Sequence, residues 1–302
     1  MSAAEPRRPL GPRDPADAWT SGPEGRFWGR GGAAGLLAYD PQRGVLMQHR
    51  VSWSDHGGTW GLPGGARHTG EDAISAAVRE AGEEAGVPGD AVVVTGAHRF
   101  DVGYWSYTTV LTDVVTPFQP VIGDPESEAL AWVSLPLVQG LTLHPGLERM
   151  WPALRARLER PAVLVVDVAN VMGSRPDGWW KDRAAAAQRL IGQIAALAPA
   201  SVPGALFGLD DAWHLWPQIV AVVEGQARGA TEPPPLHAYS PGSLRLFRAT
   251  RDGDQAIVDV VADLAPSLDV TVVTSDRALR SRVEALGART VGAGTLLRML
   301  PT

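Results

Sequence analysis

Apolar and polar positions follow two rhythms along this chain, and the change comes at Arg160-Pro161. Before it, short apolar runs are cut by turn residues. Ala34–Tyr39 and Gly44–Arg50 read as strands joined by the turn Asp40-Pro41-Gln42-Arg43-Gly44. Ala91–Arg99 and Tyr104–Val115 read as a hairpin with Gly103 at its turn, and Glu128–Val133 as a further short strand. The spacing predicts a helix from about Asp72 to Ala85, with Thr69 as its N-cap and Asp72 in the capping-box position. A second amphipathic helix, His144–Glu159, closes the block.

After the boundary the rhythm is that of buried parallel strands. Ala162-Val163-Leu164-Val165-Val166 is a continuous apolar run, as is Val270-Thr271-Val272-Val273. Both end in acids, Asp167 and Asp276, where open α/β sheets bind ligands. Arg251-Asp252-Gly253-Asp254 opens a helix, Arg277–Leu286 reads as another, and Gly287–Val291 as a last short strand. The fold class is therefore α/β in both blocks: a mixed sheet with an inserted loop and helix, then a mainly parallel sheet.

Composition narrows the picture in three ways. At 302 residues and 45% hydrophobic, the chain has material for about two domains. It has no cysteine, which excludes disulfides, zinc-thiolate sites and thiol catalysis. No apolar run nears the roughly 20 residues that span a bilayer, so no membrane partner is expected. Residues 1–27, rich in Pro, Gly and Ala without an apolar signal core, read as a disordered lead-in, with a cytoplasmic location as the default. Net charge is −6, with 14 basic and 19 acidic groups in residues 1–161 and 13 and 14 in the rest. Neither half is basic enough for general nucleic-acid binding, and small anionic substrates suit this balance better.

The densest chemistry is the run Gly65-Ala66-Arg67-His68-Thr69-Gly70-Glu71 followed by Arg79-Glu80-Ala81-Gly82-Glu83-Glu84-Ala85-Gly86-Val87. On the predicted helix Glu80, Glu83 and Glu84 stand at i, i+3 and i+4, on one face and about 5–6 Å apart at Cβ. Three like charges that close destabilise a bare helix. A hard divalent cation offsets the repulsion, Mg²⁺ being the usual occupant when phosphate completes its shell. Arg79 reaches Glu83 at i+4. The preceding loop, Trp60-Gly61-Leu62-Pro63-Gly64-Gly65, lets backbone approach a ligand closely.

Written as a pattern, the run is G-x5-E-x7-R-E-A-x-E-E-x-G-V, and it resembles the signature of the Nudix hydrolase family over residues of about 28–160. The one departure is Ala81, where the family carries a bulkier apolar residue. The resemblance implies an α/β/α sandwich that cleaves a nucleoside diphosphate linked to a group X by metal-activated water. It implies Glu80, Glu83, Glu84 and the Gly64 carbonyl as ligands of Mg²⁺, with Mn²⁺ as the alternative, and Arg79 and Glu71 as supports. An outside acid is expected ahead of a Trp-Val strand; in Glu126-Ser127-Glu128-Ala129-Leu130-Ala131-Trp132-Val133 the choice falls on Glu126. Either it or a box glutamate is the general base. The substrate is narrowed only to a nucleotide, with a nucleoside triphosphate, oxidised or not, the broadest fit. The NADH-type run S-Q-P-W-P-F-P and the proline associated with ADP-ribose cleavage are both absent.

The second block, residues 162–302, resembles the NYN branch of the PIN-like nuclease superfamily. It shares a first strand with D-x-x-N, a helix opened by G-D and a strand ending T-S-D. That resemblance implies a second metal site at Asp167, Asn170, Asp254 and Asp276, and RNA as a partner. Asp254 and Asp276 precede helices, where capping competes with catalysis as an explanation. The alternatives for the whole chain are an RNA-processing protein with a ribonuclease half, or a nucleotide-sensing module that only binds. Oligomeric state is left open.

Overall fold

In a computed structural model the described residues are 14–176, 178–231 and 242–301. They divide into two compact units, Met1–Leu158 and Glu159–Thr302. No helix among the described residues is long and apolar enough to cross a membrane.

The first unit begins with a hairpin of β1 (Trp19–Gly22) and β2 (Gly25–Trp28). The expectation of a disordered lead-in through residue 27 is therefore corrected for residues 14–27; residues 1–13 lie outside the described residues. Aromatic contacts explain the order. Phe27 stacks on Trp105 with centroids 4.2 Å apart, Trp28 meets Trp19 edge-on, and Arg26 lies 4.2 Å over the Trp19 ring. Tyr104 Oη donates to the Gly25 carbonyl at 3.0 Å and Trp105 Nε1 to that of Trp28 at 2.9 Å. Glycine- and proline-rich composition hid three aromatic anchors, Trp19, Phe27 and Trp28.

There follow β3 (Ala33–Asp40), β4 (Gly44–Arg50), β5 (Trp60–Gly61), β6 (Gly64–Ala66), α1 (Ala73–Ala85), β7 (Val92–Asp101), β8 (Ser106–Val114), β9 (Ser127–Val133), α2 (Leu135–Val138) and α3 (Pro145–Glu159). Strands run in the order β7-β8-β3-β4-β5, with β6 on β3 and β9 on β4. The sheet is mixed, because β3 and β8 are parallel and the other pairs antiparallel.

Helix α1 lies on the sheet through small residues. Ala76, Ala77, Ala81 and Ala85 are fully buried against Ala34, Leu36, Leu46 and Val110. Ala81, at the bulky position of the signature, is one of these buried small residues. The helix N-cap is Asp72, whose Oδ1 accepts from the amides of Ile74 and Ser75, and not Thr69 as the spacing predicts. Thr69 Oγ1 instead donates to Asp14 at 2.8 Å. Gly86 ends the helix at φ 64°, which glycine adopts without a Cβ penalty.

The second unit contains β10 (Ala162–Asp167), α4 (Val168–Gly173), α5 (Arg183–Leu197), β11 (Val202–Pro203), β12 (Trp213–Leu215), β13 (Gln218–Val223), β14 (Leu244–Arg248), α6 (Gly253–Leu264), β15 (Asp269–Val273), α7 (Arg277–Glu284), β16 (Arg289–Val291) and α8 (Ala293–Met299). Five strands form a wholly parallel sheet in the order β14-β13-β10-β15-β16. Both faces are covered: Val163 and Val165 pack with Ile257, Val261 and Leu279, while Leu164 and Val166 are as fully buried on the other side. The chain leaves β10 to β13 on one side and returns to β15 on the other. That reversal opens a crevice at the carboxyl ends of the two strands.

Replacing Trp105 by Ala removes both the Phe27 stack and the bond to Trp28. Amide exchange in β1 and β2 is expected to quicken at least tenfold while that of α1 stays unchanged, measured by hydrogen–deuterium exchange.

Candidate functional site

The loop from β6 to α1 is organised around one arginine. Arg79 Nε and Nη2 donate to the two carboxylate oxygens of Glu71, each at 2.9 Å. Its Nη1 donates to Glu80 at 2.8 Å and lies 3.7 Å from Glu83, and Nη2 also reaches the Ala66 carbonyl at 3.0 Å. The forked guanidinium thus ties helix to loop by the bidentate geometry that lysine cannot supply. Glu71 accepts in addition from the His68 amide at 2.9 Å, and Arg79 with this bond holds its carboxyl below the usual range. The i+4 contact with Glu83 exists, but Arg79 is committed more closely to Glu71 and Glu80.

Glu84 occupies a different environment. It is buried, and its Oε2 accepts from the Gly64 amide at 2.9 Å and from Gln48 Nε2 at 3.2 Å. Loss of water raises its pKa well above the ordinary value, and Asp124 and Glu80 add to the rise; the Gly64 N–H and Arg50 oppose it. Glu83, at the more open side, has a side chain about a third exposed. Glu80 lies across Gly65, where a Cβ would come within 2.8 Å of its carboxyl carbon. A Cβ at Gly64 would meet the Ala34 carbonyl at 2.4 Å, so close backbone approach demands glycine there, whereas one at Gly65 would meet only the end of the Glu80 side chain.

Glu126 sits with Oε2 3.8 Å from Arg50 Nη2, and burial raises its pKa against the pull of Arg50. Of the acids ahead of β9, Asp124 is the one that most raises Glu84. It was passed over in the sequence. Its Oδ1 accepts from the Ser127 hydroxyl at 2.8 Å and amide at 3.1 Å. Beside the same carboxylates, Tyr107 is pushed up by burial and by Glu84. Its hydroxyl stands where a Cβ on Gly35 would be. His144 is held down to about 4 by burial, His56 and Arg50, and so is neutral at physiological pH.

Among the described residues no three acidic or histidine side chains converge as a ready-made metal cage. The donor set nonetheless fits a hard cation: all donors are oxygens, and Asp124 and Glu80 both press on the buried Glu84, raising its pKa. Arg50 offsets only part of that rise.

In the second unit the acids predicted from the sequence meet in one place. Asp167, Asn170, Asp254 and Asp276 line a cavity of about 140 Å³ at the carboxyl edge of the sheet, together with Glu224, which sequence reasoning missed. Two are also caps: Asp167 Oδ1 accepts from the Asn170 amide at 3.0 Å and Asp276 Oδ1 from that of Leu279 at 2.8 Å. Asp254 is not a cap, because Asp252 takes that role for α6. Asp167 also accepts from Thr274 Oγ1 at 2.9 Å, and Asn170 Oδ1 from the Ser275 amide at 2.8 Å. Burial raises Asp167 and Asp254, and their negative neighbours raise them further. Asp182 caps α5 and Asp211 is exposed before β12, so neither enters the cavity.

This fold and loop-helix site define a class, and comparison gives its name. The NUDIX domain model matches residues 29–155. A Mycobacterium tuberculosis protein named as an 8-oxo-dGTP diphosphatase is 43% identical over 154 residues, 47% of this chain and 70% of that one. A Bifidobacterium longum protein, a nucleoside triphosphate pyrophosphatase/Nudix hydrolase fusion, is 40% identical over 157 residues, 49% of this chain; the match spans only 33% of its own length. A crystal structure of a Nudix hydrolase from M. smegmatis, RenU, is 44% identical, covering 47% of this chain and 94% of that one with a TM-score of 0.43. The chain belongs to the Nudix family, whose members are hydrolases acting on phosphorus anhydrides.

Glu84 gives this site a pH signature. In the unfolded chain its proton leaves in the ordinary carboxylate range, whereas in the folded chain it stays to higher pH. Across that window the folded state binds the extra proton, so stability falls as pH rises and the full penalty stands above the folded value. Glu84→Gln is therefore expected to melt higher than the parent at pH 8 without added metal. The difference should vanish below about pH 4, where the glutamate is protonated in both states. Thermal unfolding at the two pH values checks this.

Proposed function

We propose that the N-terminal unit is a Mg²⁺-dependent pyrophosphohydrolase of nucleotides, cleaving a nucleoside diphosphate-X substrate, with a nucleoside triphosphate as the class best supported. The observation that carries this reading is the buried Glu84 carboxylate, pressed by Asp124 and Glu80 and only partly offset by Arg50. The name of the Mycobacterium tuberculosis relative, an 8-oxo-dGTP diphosphatase, favours a triphosphate.

Glu80, Glu83, Glu84, the Gly64 carbonyl and Glu126 are the groups that would hold the ion, with Mn²⁺ as a substitute. When bound, it polarises phosphate oxygens and lowers the pKa of a water. The chain's own part is positioning. Arg79 anchors Glu80 and Glu71 to the loop, so the helix carboxylates face one direction without searching. Gly64 lets β6 lie close against the Ala34–Gly35 backbone of β3, and Gly65 leaves room for the Glu80 carboxylate. Arg50, beside Glu126 and Glu84, lends positive charge where phosphate charge would accumulate. A glutamate raised by burial can take a proton from water at neutral pH, which suits Glu84 or Glu126 to the role of base. A nucleotide panel with Mg²⁺ tests the assignment. Glu83→Gln and Glu84→Gln should each lose about a hundredfold or more in kcat while remaining folded. Unchanged turnover in both would exclude it.

A second reading concerns the C-terminal unit, and the shared cavity of Asp167, Glu224, Asp254 and Asp276 favours it. We infer a metal-dependent ribonuclease resembling the NYN branch of PIN-like proteins, with the acids holding the metal and Asn170 orienting the loop after β15. The full chain with labelled RNA and Mn²⁺ is the test. Asp167→Asn should abolish cutting and leave nucleotide turnover intact; RNA that the parent leaves whole, or that both proteins cut equally, removes this reading.

A further inference from the structure

Gln48 is a glutamine with no exposed surface in the middle of the N-terminal sheet, at a position where β4 would otherwise carry an apolar residue. Burying an amide is costly unless its groups are bonded. Both of its N–H bonds are used: one to Glu84 Oε2 at 3.2 Å, the other to Ser127 Oγ at 2.7 Å. Ser127, equally buried, passes its own hydrogen to Asp124 Oδ1 at 2.8 Å. The donors therefore run outward from one amide to two carboxylates that repel each other. The pairing of β4 with β9 shifts register between His49 and Arg50, and just past that shift Arg50 stands opposite Ser127. Such an irregularity re-aims side chains at functional sites. Among the described residues Gln48 Oε1 has no donor, so the amide keeps an unsatisfied acceptor beside Glu84.

A purely structural residue here would be expected to satisfy both ends of the amide or to be apolar. Gln48 does neither. We propose that Gln48 and Ser127 are positioning residues: they hold Glu84 and Asp124 in mutual reach so that one divalent cation meets both. The relay spans β4, β9 and the Asp124 loop, and it meets Glu84 at the same oxygen that accepts from the Gly64 amide. This inference rests on the reading of the N-terminal unit as a metal-dependent hydrolase.

The experiment uses the full chain with Gln48→Leu, which removes the amide, and Ser127→Ala, which cuts the relay one step further on and leaves Gln48 in place. Mg²⁺ affinity without nucleotide is measured by calorimetry. Each variant is expected to bind about tenfold to a hundredfold more weakly, the worth of a hydrogen bond to a charged group. In turnover, kcat should fall with KM for the nucleotide little changed. Each is then combined with Glu84→Gln, and the unfolding midpoints of the metal-free set are compared. A change for the double variant Gln48→Leu with Glu84→Gln that differs from the sum of the two single changes supports the relay; additive changes overturn it, as does unchanged Mg²⁺ affinity in both single variants. A parent protein that neither binds Mg²⁺ nor turns over nucleotide overturns the hydrolase reading instead, and the metal-free cycle then still decides whether Gln48 acts on Glu84.

Discussion

A carboxylate taken out of water governs the N-terminal half of this protein. An ion of that size costs several kcal/mol to bury even after the protein relaxes. Around Glu84 the structure supplies a backbone amide, a side-chain amide and one arginine at longer range. It also places two further acids close by. Two features that look separate in the sequence follow from this constraint: a glycine at 64, whose amide reaches Glu84, and a glutamine inside a sheet. Each either lets a carboxylate come close or keeps it pointed.

Arg79 is the counterpart on the open side. It binds Glu71 through both of its oxygens and so fastens the end of the loop to the middle of the helix, across eight residues of chain. Glu80 then cannot turn away, because its nearest cation is fixed. The two halves of the site are managed by different physics: Glu80 and Glu83 by a charged clamp, Glu84 by neutral donors and burial. A ligand of double positive charge would compete with Arg79 for the first pair and relieve the second.

How much of this could be read in the sequence depended on distance along the chain. The box, its helix and its carboxylates lie within 23 residues, and local spacing was sufficient to put three glutamates on one face. The second unit's two central strands were equally legible, since a strand buried on both faces is a continuous apolar run. What stayed hidden was set by tertiary contact. Gln48, Asp124 and Ser127 look like ordinary strand and loop residues until β9 is laid beside β4. Glu224 is found only by knowing that β13 adjoins β10 in the sheet. The hairpin at residues 19–28 was obscured because its order comes from Trp105 and Tyr104, far along the chain. Asp276 shows the opposite case: it has both a capping and a cavity role, which sequence alone could only treat as rivals, and Asp167 also caps a helix that the strand pattern does not announce.

The segment carrying Asp124 crosses the end of α1. The amides of Val121 and Gly123 bond the last carbonyls of that helix, those of Ala85 and Glu84, and Gly123 lies so close to Glu83 that a side chain would overlap its carbonyl. Helix ends leave such carbonyls in need of partners, and here the acid-bearing loop is the partner. Swinging that loop outward would therefore fray the helix that carries the other acids. Loop and helix end behave as one stiff body, and a substrate that enters must adapt its phosphates to a fixed set of charges.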